Sequence, residues 1–177
     1  QENWQRPAEE IGALMGLLEE YIAREMADLK EQGVVVRFLG DLDRLPVSQR
    51  AAVDRLMSHT AGGQRLSLNI LISYGSRAEL ARAARLLAEE VRAGRMDPAD
   101  VDEDAISRRL YTSAWPDPDL LIRTSGELRI SNFMLWQLAY AELFVTPVLW
   151  PDFTRQHLWE AILEYQRRDR RFGKVSV

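Results

Sequence analysis

The chain has 177 residues and a mass of 20.3 kDa, and it is 46% hydrophobic and 28% charged, a globular composition rather than a disordered or fibrous one. Lys and Arg total 23 against 27 Asp and Glu, and the resulting charge of −4 argues against a broad electrostatic grip on nucleic acid. Zero cysteines exclude a disulfide scaffold and a thiolate metal site and fit a reducing, cytoplasmic setting, and the longest apolar runs fall far short of the about 20 residues a membrane-spanning helix needs.

The first predicted element is a long helix over Ala8–Glu31. Pro7 precedes its first turn, Glu9 and Glu10 suit its positive end, and Gly33 follows its end. Ile11, Leu14, Met15, Leu18, Ile22, Met26 and Leu29 recur at i, i+3, i+4 and predict one buried stripe. Gly12 and Gly16 lie near it, four residues apart, either marking close helix packing or carrying no packing role. Val34–Leu39 reads as a buried strand ended by Gly40-Asp41, followed by a helix over Ser48–His59 and a Gly62-Gly63 turn. Leu66–Ile72 predicts a second strand.

Ser76 with Glu79 three residues on has the form of a capping box, opening a helix that Gly94 closes and that buries Leu80, Ala84, Leu87 and Val91. Beyond an acidic connector come a short helix over Asp104–Tyr111, a third strand over Asp119–Ile122 and a helix over Phe133–Tyr140. A short strand at Leu143–Val145 and a last helix from the Thr154 cap to about Arg170 complete the order. Helices alternating with short apolar strands predict an α/β fold, a mainly parallel central sheet flanked by helices. No repeat or linker interrupts the pattern, so residues 1–177 read as a single domain.

In open α/β sheets ligands collect beyond the carboxyl ends of strands. The third strand runs directly into Arg123–Asn132, a loop with two guanidiniums, three hydroxyls and a glycine. Arginine forks match phosphate oxygens, and Ser hydroxyls with the backbone N–H groups that Gly126 exposes would complete a cradle. The same loop reads equally well as a solvated segment whose arginines pair with Glu127 or Glu142. Glu142 beside a diphosphate could hold Mg²⁺, which takes one or two carboxylates plus phosphate oxygens; otherwise it is the counter-ion of a buried arginine. Arg167–Arg171 suits the negative end of the last helix by dipole alone. His59 and His157 lack metal-ligand spacing, and no GxGxxG, Walker or Gly-x-Ser-x-Gly pattern occurs.

Asp119–Gln137 strongly resembles the cis-prenyltransferase family, the undecaprenyl diphosphate synthase-like isoprenyl transferases. So do Ala139–Phe144, Val148–Phe153, Arg170-Arg171-Phe172-Gly173, Glu2–Pro7 and Tyr74–Arg77, in the family's order. The resemblance implies condensation of isopentenyl diphosphate with an allylic diphosphate such as farnesyl diphosphate. The product would be a Z-polyprenyl diphosphate serving as a lipid carrier for cell-wall synthesis. It further implies that Arg123, Arg129 and Ser131 bind isopentenyl diphosphate and that Glu142 helps hold Mg²⁺. Arg171 and Gly173 would complete the site of the partner in a homodimer. Asn3, Trp4 and Arg6 would lie near the reacting groups; an amide is too weakly basic to take a proton unaided, so Asn3 would orient a water or the diphosphate. A cytoplasmic enzyme with peripheral membrane contact at product release is the implied setting.

Two departures accompany the likeness. The family's first strand and its Asp-Gly-Asn-Gly-Arg-Trp-like loop, with a metal-binding Asp, have no match, and the chain opens on Gln1 rather than Met. The expectation is that these residues are the later part of a longer enzyme, active when intact and inactive as this chain alone. Leu128 stands where bacterial members often carry His, which leaves the loop without a second metal ligand. The rival readings are a non-catalytic partner subunit and an inactive fragment that only binds diphosphate. Such partners usually lose the phosphate-binding arginines, which this chain keeps.

Overall fold

The computed structural model describes Trp4 and residues 7–168; Asn3, Arg6, Arg171 and Gly173 lie outside the described residues. The chain forms two compact units, residues 1–113 and 114–177.

In the first unit, α1 (Ala8–Glu31) packs on β1 (Val34–Leu39) and α2 (Val47–His59). β1 alternates buried and half-buried residues, and Val36 is wholly buried. It pairs in parallel with β2 (Leu66–Leu71), from Val34 opposite Leu66 to Leu39 opposite Leu71. Ile22, Val34, Val36, Phe38, Leu45, Ala52, Val53 and Leu56 form the core, against which Met15, Leu18, Met26 and Leu29 pack. Of the expected α1 stripe, Met15, Leu18, Ile22, Met26 and Leu29 thus pack as expected, and Leu14 does not. That residue joins Leu17 and Tyr21 on a second apolar ridge about half exposed. Gly12 and Gly16 have no neighbour among the described residues where a Cβ would stand, and they mark no close helix packing there. Gly40, at φ +125°, is required: a Cβ there would meet the Ile72 carbonyl oxygen at 2.1 Å.

α3 (Ser76–Arg92) differs from expectation at its start. Gly75 is the N-cap, with no side-chain cap, and Ser76 is the first helical residue. The buried positions are Ser76, Glu79, Ala83 and Leu87, while Ala84 is exposed. The stripe is rotated because Glu79, read as a surface capping residue, is drawn inside by Tyr74 and Tyr111. Gly94 closes the helix at φ +68°. α4 (Glu103–Ser107) is shorter than expected and is capped by Asp102, whose side chain accepts from the Ala105 N–H at 2.7 Å.

In the second unit, β3 (Leu120–Arg123) and β4 (Glu142–Val145) pair in parallel, Leu120 opposite Glu142 and Arg123 opposite Val145. The expected helix over Phe133–Tyr140 is replaced by successive turns. Ser131, Asn132 and Met134 sit at φ +52°, +59° and +46°, conformations no α-helix of L-residues sustains. The run Phe133–Leu138 is apolar on every side except Gln137, so no single stripe fixes a helix. The turns bury Met134, Gln137 and Leu138 instead. α5 (Arg155–Gln166) packs on β4 and opens with a capping box in which the Thr154 N–H donates to His157 Nδ1 at 3.0 Å. It ends at Gln166 rather than Arg170, and Arg168 turns back to β4.

Candidate functional site

The loop leaving β3 is held by its own backbone. Ser125 and Gly126, at φ +65° and +66°, donate their N–H groups to the Val148 and Thr146 carbonyls at 2.8 Å each. Those two N–H groups are therefore satisfied internally and do not face a phosphate, contrary to the cradle expected from the glycine. Anion binding falls instead to side chains. Arg123, at the carboxyl end of β3, and Arg129 line a pocket of about 90 Å³ with Leu121, Glu127, Leu128 and Ile130. Arg129 is ion-paired with Glu127 and is 67% exposed. Arg123 is half-buried, and its Nε is buried with no hydrogen-bond acceptor among the described residues. A buried guanidinium N–H without an acceptor is costly, and Arg123 meets the pocket with the rest of its side chain. Ser131 is exposed on the following turn and does not line this pocket.

Glu142 is not beside these arginines along the sheet. Its row of the ladder is three residues from that of Arg123, roughly 10 Å at about 3.3 Å per residue. Its carboxylate accepts from the Arg168 guanidinium at 2.9 Å, and Arg168 also donates to the Leu143 carbonyl at 2.9 Å.

In the first unit, Trp4 packs against the core and donates its indole N–H to Ser73 Oγ at 2.9 Å, with the Arg44 guanidinium 5.3 Å over its ring. Ser73 belongs to the turn that follows β2. That turn and Gly40-Asp41 after β1 line a cleft of about 730 Å³, together with Glu79, Arg82 and Tyr111. Tyr111 has its phenol pushed above the usual value near 10 by burial, an effect partly offset by the Arg82 guanidinium 4.7 Å over its ring.

Both clusters thus lie at carboxyl ends of parallel strands, where α/β ligands gather. The profile of the undecaprenyl diphosphate synthase family (Prenyltransf) matches residues 1–173. The chain belongs to this family of prenyltransferases. It is 52% identical to an isoprenyl transferase of Geobacillus kaustophilus (strain HTA426) over 99% of this chain and 68% of the relative. An isoprenyl transferase of Heliobacterium mobile is 49% identical over the same shares, so this chain spans about two thirds of each relative's length. Among solved structures, lavandulyl diphosphate synthase from Lavandula x intermedia in complex with dimethylallyl diphosphate superposes with a TM-score of 0.94. It shares 33% sequence identity, over 98% of this chain and 75% of that one.

For this prenyltransferase chain the fit of Mg²⁺ can be judged from the donors. Among the described residues no three His, Asp or Glu side chains cluster as a metal centre. Glu142 offers one carboxylate, with one oxygen engaged by Arg168. That suits a single ligand to an ion whose remaining positions are diphosphate oxygens and water, and it does not make a free-standing metal site. Sequence reasoning missed Ser73, Glu79, Tyr111 and Arg168. Ser73 and Tyr111 carry no spacing signal, Glu79 looked like a cap, and Arg168 was one cation among several at a helix end.

Proposed function

We propose that the protein catalyses cis-prenyl transfer, joining isopentenyl diphosphate to an allylic diphosphate to give a Z-polyprenyl diphosphate. The observation that carries the reading on this chain is that Arg123, at the carboxyl end of β3, and Arg129 line one pocket. The family match and the relatives named isoprenyl transferase support the same chemistry.

In the reaction the allylic C–O bond breaks, the alkene of isopentenyl diphosphate bonds to the allylic carbon, and a proton leaves the adjacent carbon. Arg123 and Arg129 hold the isopentenyl diphosphate by charge-assisted hydrogen bonds, with Ser131 adding a hydroxyl donor. Glu142 would help hold the Mg²⁺ that accompanies isopentenyl diphosphate, an ion that would supply positive charge against its phosphate oxygens. Arg168 orients that carboxylate through its hydrogen bond. Trp4, Asn3 and Arg6 bound the reacting ends, where Asn3 orients a water or diphosphate oxygen as the proton leaves. Residues 1–177 are read as a single prenyltransferase domain, a reading supported by a family match over residues 1–173.

We read the enzyme as a homodimer in which Arg171 and Gly173 complete the partner's site. It would work in the cytoplasm and touch the membrane only to release a long apolar product; no helix among the described residues is long and apolar enough to cross a membrane. A lipid carrier for cell-wall synthesis is the product class this implies. A non-catalytic partner subunit is disfavoured because Arg123, Arg129, Ser131 and Glu142 are all retained. The test is incorporation of labelled isopentenyl diphosphate by the full-length protein, with Mg²⁺ and several allylic primers. Z-polyprenyl product supports the reading, and diphosphate binding without product overturns it.

A further inference from the structure

Among the described residues Glu79 is the only fully buried acidic side chain, at 1% exposure, and no step of the proposed reaction uses it. One carboxylate oxygen accepts from the Tyr74 hydroxyl at 2.6 Å and the other from the Tyr111 N–H at 2.7 Å. The two tyrosine rings meet edge to face with centroids 6.4 Å apart. Tyr111 is further fixed by Arg82, which stacks over its ring and donates to the Arg109 carbonyl at 3.0 Å. Tyr74 follows Ser73, which is held at φ +51° and accepts the Trp4 indole N–H. A non-glycine residue at positive φ persists only where its surroundings over-determine it, and a buried carboxylate binding the adjacent residue is such a constraint. The Glu79 side chain thus ties the Tyr74 hydroxyl to the Tyr111 backbone, an anchor with two points of attachment.

We infer that Glu79 is a positioning residue: through Tyr74 and Ser73 it fixes where Trp4 stands at the carboxyl end of β2. The consequence for substrate affinity rests on the proposed reading of Trp4 as a substrate contact. The relay is Glu79 carboxylate, Tyr74 hydroxyl, Tyr74–Ser73 backbone, Ser73 hydroxyl and Trp4 indole. Loss of Glu79 leaves the Tyr111 N–H without this acceptor and releases the turn. Loss of the Tyr74 hydroxyl alone releases the turn and keeps the ring packing. Gln at 79 can accept from the Tyr111 N–H and donate to the Tyr74 oxygen, so it should preserve the shape.

The experiment labels the protein with 5-fluorotryptophan and assigns the Trp4 fluorine resonance by its disappearance in Trp4→Phe. Substrate KM and kcat are measured on the same variants. In Glu79→Ala and Tyr74→Phe the Trp4 resonance should move toward its solvent-exposed position. KM should rise on the order of tenfold in Glu79→Ala, with kcat less affected, and Glu79→Gln should recover most of both. Tyr74→Phe decides the matter if Glu79→Ala does not fold. An unmoved Trp4 resonance in folded Tyr74→Phe would overturn the inference. A moved resonance with unchanged KM would support the relay and count instead against Trp4 as a substrate contact.

Discussion

Arg123 and Arg129 have the same chemistry and different surroundings, and the difference decides what each substitution should do. Arg129 is largely exposed and already paired with Glu127, whereas the buried Nε of Arg123 has no acceptor among the described residues. A hydrogen bond to a charged group contributes about 1.5–3 kcal/mol, so Arg123→Met should raise KM for isopentenyl diphosphate by roughly ten- to a hundredfold. Its melting temperature should hold or rise, because a buried polar group is removed. Arg129→Ala should cost less, since solvent and Glu127 already compete for that guanidinium. Steady-state kinetics with a thermal melt on each variant separates these outcomes. Tyr111 gives a pH prediction. Burial raises its phenol in the folded chain, so the neutral form is favoured there. The resulting stability is fully present below about pH 10 and is lost as pH rises through the folded-state value. Urea midpoints between about pH 9 and 11 should fall more steeply for the native chain than for Tyr111→Phe.

The elements show what local patterning can and cannot specify. α1 and β1 were legible because period and punctuation agree: a 3.6-residue stripe bounded by Pro7 and Gly33, then a run of β-branched residues closed by Gly40. The start of α3 was misread because Ser76 and Glu79 fit a surface capping box, while the partners that bury Glu79 come from outside the helix, Tyr111 from far along the chain. The segment 133–140 failed for another reason, since an apolar run without a polar face does not choose between helix and turns. In the site, the arginines were legible from position alone, at the end of a strand. The use of the Ser125 and Gly126 N–H groups by the Val148 and Thr146 carbonyls, respectively, was not, because that pairing is non-local. The rotated α3 stripe is directly testable. Ala83→Glu should destabilise the chain by several kcal/mol, through an unpaired buried charge and overpacking, and Ala84→Glu by less than about 0.5 kcal/mol. Gly40→Ala, forced against the Ile72 carbonyl, should likewise unfold at markedly lower urea.

For the whole molecule, the proposed homodimer makes a prediction that a monomer would not. If Arg171 completes the partner's site, Arg123→Met and Arg171→Ala place both defects in the same site of a mixed dimer. One site of each heterodimer is then intact, so unfolding and refolding the two inactive variants together should restore about a quarter of native activity, for random pairing into two-fold dimers. Activity no higher than that of the separate variants would remove the shared-site reading. Prenyl transfer itself is tested most directly by labelled isopentenyl diphosphate, with Mg²⁺ and an allylic primer, supplied to the native protein and to Arg123→Met. The full-length native protein should give a Z-polyprenyl diphosphate, and the variant should nearly lose it at subsaturating substrate. Equal product from both would contradict the placement of the diphosphate at Arg123, and no product from the native protein would contradict the enzyme.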